Sequence, residues 1–105
     1  MARSTDFIIG RGGDSLRGRV LDKEFETRSA VGPVVIKTDK IEWIHFDRPR
    51  GTDEMWLKNG DRLQGRLKQD SIHFKPQDAS ARRIPRSAIH TVIIGAGFSA
   101  GAPGL

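Results

Sequence analysis

The chain has no cysteine and no tyrosine among its 105 residues. Without cysteine there is no disulfide framework, no thiolate metal site and no thiol nucleophile. Aromatics are scarce, five Phe and two Trp, so there are few rings on which nucleobases could stack. Nothing approaches the ~18 consecutive apolar residues of a membrane-spanning helix. The opening Met1–Asp6 stretch lacks the apolar segment of a secretory signal. These absences lead us to expect a cytoplasmic protein with no membrane span.

Hydrophobic residues make up 36% and charged residues 30% of the chain, a globular balance with a modest core. The formal charge is +5, with 18 Lys and Arg against 13 Asp and Glu. Residues 1–50 hold 10 basic and 8 acidic groups and residues 51–105 hold 8 and 5, so the excess is spread through the chain. A spread basic excess favours a polyanionic partner, though mildly.

The strongest pattern is internal. With Asp6 set under Asp53, Gly13-Asp14-Ser15-Leu16-Arg17-Gly18-Arg19 lies over Gly60-Asp61-Arg62-Leu63-Gln64-Gly65-Arg66. Five of these seven pairs are identical, at an offset of 47; after one inserted residue, Ile36 meets Ile84 and Ile41 meets Ile89 at 48. This reads as a tandem duplication: one β repeat in residues 1–49, a second in 50–96, and a flexible Gly/Ala-rich tail in 97–105. A unit this small rarely buries enough surface to fold alone, so the two should share a core or assemble with other chains.

Each repeat reads as β-structure. A strand near Phe7–Arg11 or Met55–Lys58 runs into Gly12-Gly13 or Asn59-Gly60, dipeptides suited to a two-residue hairpin turn. The next strand alternates, with Leu16, Gly18 and Val20 opposite Arg17, Arg19 and Leu21, and Leu63, Gly65 and Leu67 opposite Gln64, Arg66 and Lys68. Glycine on the apolar face marks a bend, a bulge or a close backbone approach. Two such glycines imply a strongly curved sheet. No helical apolar period is sustained, and the expectation is at most a short helical turn near Thr38–Lys40 and Arg86–Ala88. Strands such as Thr91-Val92-Ile93-Ile94 and Met55-Trp56-Leu57 are apolar on both faces. They need cover, which suggests a homo-oligomer.

Leu57-Lys58-Asn59-Gly60-Asp61-Arg62-Leu63-Gln64-Gly65-Arg66-Leu67, with the later Arg83-Ile84-Pro85-Arg86-Ser87-Ala88-Ile89, resembles the Sm-like small β-barrel fold of Sm, LSm and Hfq proteins. It is also similar to bacterial domains with tandem Asn-Gly-Asp-x-Leu-x-Gly units, for which no activity is implied. The Sm-like resemblance implies curved SH3-like barrels, either one per repeat or one shared, assembled into a ring that binds RNA. The chain departs from that family at Asp70-Ser71-Ile72-His73, which is shorter than the family's RNA loop and lacks its Asn. It departs again at Arg82-Arg83, which stands where the family has Arg-Gly, and in lacking the family's N-terminal helix. The barrel and the ring carry over as expectations, and the RNA pocket does not.

Other motifs point to chemistry that the sequence does not complete. Gly95-Ala96-Gly97 and the glycines after it suggest a dinucleotide loop, but no helix-forming stretch or acidic residue follows them. Gly97-Phe98-Ser99-Ala100-Gly101 has the nucleophile-elbow spacing, without a downstream acid or His. His45, His73 and His90 lack ligand spacing, and Glu24 and Glu26 alternate with Phe25 as a charged strand face does. No enzyme, cofactor, metal site or small-molecule substrate is expected. The leading expectation is a structural or interaction module. Its alternative is RNA or single-stranded DNA binding through a basic face of Arg17, Arg19, Arg66, Lys68, Arg82, Arg83 and Arg86.

Overall fold

The computed structural model describes residues 5–46 and 52–95. The expected junction between the repeats, the glycine tail and the nucleophile-elbow pattern fall largely or wholly outside these residues. The described chain is all-β. Five strands and one 3-10 turn make the first half: β1 (Asp6–Gly10), β2 (Ser15–Val20), β3 (Glu24–Ser29), β4 (Gly32–Lys37), the turn η1 (Thr38–Lys40) and β5 (Ile41–His45). The second half repeats the order: β6 (Asp53–Leu57), β7 (Arg62–Leu67), β8 (Ser71–Pro76), β9 (Arg82–Pro85), η2 (Arg86–Ala88) and β10 (Ile89–Ile93). The two 3-10 turns stand where short helical turns were expected.

All ten strands join one curled, antiparallel half-barrel sheet in the order β4-β3-β7-β6-β5-β10-β1-β2-β8-β9. Adding or subtracting five from every strand number turns this order into its own reverse. The axis of that exchange passes between β5 and β10, where Ile44 faces Val92. Strands β2 and β3, consecutive in the chain, are not neighbours in the sheet. Instead β2 pairs with β8 and β7 pairs with β3, so each half's second hairpin extends the other half.

Gly18 and Gly65 sit at these two cross-half junctions. A Cβ on Gly18 would lie 2.1 Å from the Lys75 carbonyl oxygen, and one on Gly65 would lie 2.4 Å from that of Arg28. Of the three readings the sequence left open, close backbone approach is the one observed. The β1–β2 and β6–β7 loops correct the sequence reading. Gly13 and Gly60 take φ of 95° and 97°, and the Gly13 and Gly60 amides donate back to the Gly10 and Leu57 carbonyls. Gly10 and Leu57 donate in turn to Asp14 and Asp61. Each loop is thus a three-residue type I turn closed by one left-handed glycine, rather than a two-residue turn.

The concave face forms the core. A row of directly opposed residues crosses six strands: Leu16, Ile8, Val92, Ile44, Met55 and Leu63. Phe25, Phe46, Phe74, Ile41, Ile72 and Ile89 close over it, all fully buried. Each such side chain contributes roughly 1.5–3 kcal/mol by leaving water.

The strands that read as apolar on both faces, β6 and β10, lie in the interior of the sheet order, and the edges are β4 and β9. The Thr38 amide bonds to the Lys23 carbonyl and the Arg86 amide to that of Asp70. By antiparallel alternation, Pro33, Val35 and Lys37 then face outward on β4, and Arg83 and Pro85 face outward on β9. Each edge therefore lacks one outward amide and carries a cation, both of which hinder edge-to-edge pairing.

Candidate functional site

The convex face is set by the same registers, one residue out of phase with the core. One row of opposed residues runs Arg17, Phe7, Ile93, Trp43, Trp56, Arg62 from β2 to β7. The Arg17 guanidinium lies 5.9 Å from the Phe7 ring centroid and that of Arg62 lies 5.4 Å from Trp56, while Trp43 and Trp56 stack at 5.3 Å. A second row runs Ser15, Ile9, Thr91, His45, Glu54, Gln64. The rings of the first row are half-buried by one another and by the arginines at either end. This pairing covers the outer side of the doubly apolar strands within a single chain.

The two flanks of this band differ in charge. On β1, β2, β8 and β9 the outward strand positions include Arg17, Arg19, His73, Lys75 and Arg83, and none is a carboxylate. Arg19 stands directly opposite Lys75, and His73 opposite Arg83. Carboxylates near this flank, Asp14, Asp22, Asp70 and Asp78, lie in loops at its ends, and Asp22 Oδ1 accepts the His73 amide at 2.7 Å. On β6, β7, β3 and β4 the outward positions carry Arg62, Arg66, Arg28 and Lys37 together with Glu54, Glu26 and Glu24. There Arg62 approaches Glu54 at 3.8 Å and Lys68, just beyond β7, approaches Glu26 at 4.0 Å.

Each predicted basic residue can now be placed. Arg17 and Arg19 share the carboxylate-free flank with Arg83, and exposed Arg82 lies beside them at the rim of edge strand β9. Arg66 and Lys68 lie on the other flank, five strand spacings from β2 in the sheet order, roughly 24 Å along the sheet. The seven residues do not make one stripe. Arg86 is not part of an exposed face: its side chain is 12% exposed and its Nη2 donates to Asp53 Oδ1 at 2.6 Å. Arg86 Nη1 also donates to the Leu67 carbonyl at 3.3 Å, and the guanidinium lies 5.0 Å from the Phe46 ring centroid. The 3-10 turn carries Arg86 inward, away from Arg82 and Arg83. Lys75 and His73 were missed by the sequence reading, although alternation from buried Ile72 and Phe74 puts both on the outer face.

The carboxylates at the starts of β1 and β6 hold the sheet from within. Asp6 Oδ2 accepts the Val20 amide at 2.8 Å, and Asp53 Oδ2 accepts the Leu67 amide at 2.9 Å. Their second oxygens diverge. Asp53 Oδ1 takes the Arg86 guanidinium, whereas Asp6 Oδ1 takes the Gly95 amide at 2.9 Å. The residue 48 positions before Arg86 is Thr38, whose hydroxyl donates to the Asp22 carbonyl at 2.6 Å.

His45 and His90 touch edge to face at 4.6 Å between centroids, and both ring nitrogens Nδ1 meet the Thr91 hydroxyl, at 3.4 and 2.8 Å. Among the described residues no three His, Asp or Glu side chains gather closely enough to hold a metal ion. No helix of the described chain is long and apolar enough to cross a membrane. No protein-family model, curated protein or solved structure matches the chain.

Proposed function

We propose that the chain is a non-catalytic interaction module whose working surface is the convex flank of β1, β2, β8 and β9, and that its partner is RNA or single-stranded DNA held by its phosphates. The carrying observation is the absence of carboxylates from the outward strand positions of this flank, where Arg17, Arg19, Lys75 and Arg83 project together. An ordinary solvated face mixes both signs, as the opposite flank does. A face of one sign attracts a polyanion and gains from counterion release. With Phe7 and His73 the only aromatic rings on the outward strand positions of the flank among the described residues, binding rests on phosphates and is largely independent of sequence. Lys75 Nζ, held by the Pro76 and Ala79 carbonyls at 3.1 and 2.8 Å, contributes a fixed charge rather than a free arm.

Fluorescence anisotropy with a labelled mixed-sequence oligonucleotide tests this reading. Four phosphate contacts predict a slope of log K against log salt of about −3 on a single strand. Arg19→Ala with Lys75→Ala should bring the slope to about −1.5. No binding at low salt would end the reading.

The same proposal takes the two halves as tandem copies of one bent hairpin unit, which the exchange of strand numbers in the sheet order supports. A second reading, self-assembly, has its own observation. Edge strand β4 exposes Val35 at 51%, and Val31 in the preceding turn is 89% exposed. Native mass spectrometry at micromolar concentration tests assembly directly. A purely monomeric species would remove the ring.

A further inference from the structure

The two halves build the same cage around different contents. In the second half the cage consists of Asp53, the Leu67 carbonyl and Phe46, and the Arg86 guanidinium fills it. In the first half the corresponding positions are Asp6, Val20 and Ile94, and the position of Arg86 is held by Thr38. The scaffolds agree in detail. The Thr38 amide donates to Lys23 as the Arg86 amide donates to Asp70, and Asp6 holds the Val20 amide as Asp53 holds that of Leu67. A threonine lacks the reach of an arginine. Asp6, Val20, Thr38 and Ile94 accordingly line an open cleft of about 580 Å³.

This volume lies within the range of sites that take small molecules, about 300–1,000 Å³. Its floor carries a carboxylate that is 6% exposed, with each oxygen accepting one backbone amide. A carboxylate oxygen has capacity for a second donor. Around the mouth stand Arg19, Lys23, Lys37 and Lys58, with Asp22 and Asp39 between them. Lys58 is turned to the Ile94 carbonyl at 3.3 Å, and Asp22 Oδ1 accepts the His73 amide at 2.7 Å. The cleft thus offers a buried anion at its base and a rim with four cations against two carboxylates.

We propose that this cleft is a binding site for a small guanidinium compound that carries an anion at its far end, the chemistry of free arginine. The guanidinium takes the place that Arg86 takes in the other half, against Asp6 and the Val20 carbonyl. The ligand's carboxylate lies at the cationic rim. A planar fork of donors suits this base, and a point ammonium does not. The base of the site, Asp6 with the Val20 carbonyl, lies apart from the sheet's outer flank, while its rim takes Arg19 from that flank and Lys37 from edge strand β4.

The test is titration of L-arginine into the full chain, followed through the Val20 and Gly95 amide resonances, with L-lysine and sodium chloride at matched ionic strength as controls. Arginine should bind saturably with a Kd no weaker than about 1 mM, and lysine should bind about tenfold more weakly. Agmatine, which keeps the guanidinium and lacks the carboxylate, should fall between the two. Thr38→Arg supplies the missing plug and should abolish arginine binding while raising the unfolding midpoint. Asp6→Asn should weaken binding at least about tenfold, as loss of a charge-assisted bond does. Absence of a saturable arginine response, or an undiminished one in Thr38→Arg, would overturn the proposal; Thr38→Arg keeps that judgement open even if Asp6→Asn fails to fold.

Discussion

The two halves of this protein have nearly superposable instructions for their backbone and different instructions for their charges. Both start a strand with a buried Asp, turn on a left-handed glycine, press a bare glycine against the opposite half and end in a 3-10 turn before the last strand. They part company at Thr38 and Arg86, and at the outward positions where one flank has Glu54, Glu26 and Glu24 and the other has none. The shared features lie where the strands turn and where the two halves meet at close range. The differing ones sit where the fold tolerates several answers. Such positions are where an interaction surface can be written without changing the scaffold.

The most damaging way to probe the shared part is to give the junction glycines a side chain. Gly18→Ala and Gly65→Ala should each destabilise the chain by about 3 kcal/mol or more in urea unfolding, because overpacking here meets backbone that cannot yield. Gly18→Ala should be the worse of the two, since all three nearest atoms at Gly18 are backbone, whereas Gly65 also meets the Thr27 hydroxyl.

Next in size is the interior ion pair. Arg86→Met leaves the Asp53 carboxylate, 1% exposed, without its guanidinium and should cost about 3 kcal/mol. Thr38→Ala at the matching position loses only a hydroxyl-to-carbonyl bond, about 1 kcal/mol. Equal losses in the two variants would erase the distinction drawn between the halves.

A smaller effect is expected where the flanks are made alike. Replacing Glu24, Glu26 and Glu54 together by Gln should leave the unfolding free energy within about 1 kcal/mol, because the two ion pairs are partly exposed and long, at 3.8 and 4.0 Å. The same variant should steepen the salt dependence of oligonucleotide binding by about one to two units, as the second flank becomes usable for phosphate contacts. Unchanged binding would show that the wild-type preference for one flank has a source other than its missing carboxylates.

Much of the scaffold was legible because it depends on local rules. Alternation placed Leu16, Val20, Leu63 and Leu67 inward and Arg17, Arg19, Gln64 and Arg66 outward, and the glycine pattern marked the two places where backbones approach closely. The turn type was off by one residue because Asn-Gly and Gly-Gly serve a three-residue loop as readily as a two-residue one, with only the second residue in the left-handed region. The exchange of β3 and β8 between halves was not legible. Residues 21–23 join β2 to β3 whichever strand β2 pairs with, and only tertiary packing selects the partner. For the site, proximity in sequence grouped Arg86 with Arg82 and Arg83, and the 3-10 turn separates them. The carboxylate-free flank combines strands from both halves, so no single stretch of sequence displays it.

The cross-half pairing of β2 with β8 and of β7 with β3 has a consequence for how the molecule comes apart. Neither half retains its outermost hairpin once the other half is lost, so there is no independent domain to melt first. Thermal and chemical unfolding should follow a single cooperative transition. The slowest amides in hydrogen exchange should lie in both halves at once, beside Ile44 and Val92, and open together. Two halves that share one strand order would then behave, in their energetics, as one indivisible unit.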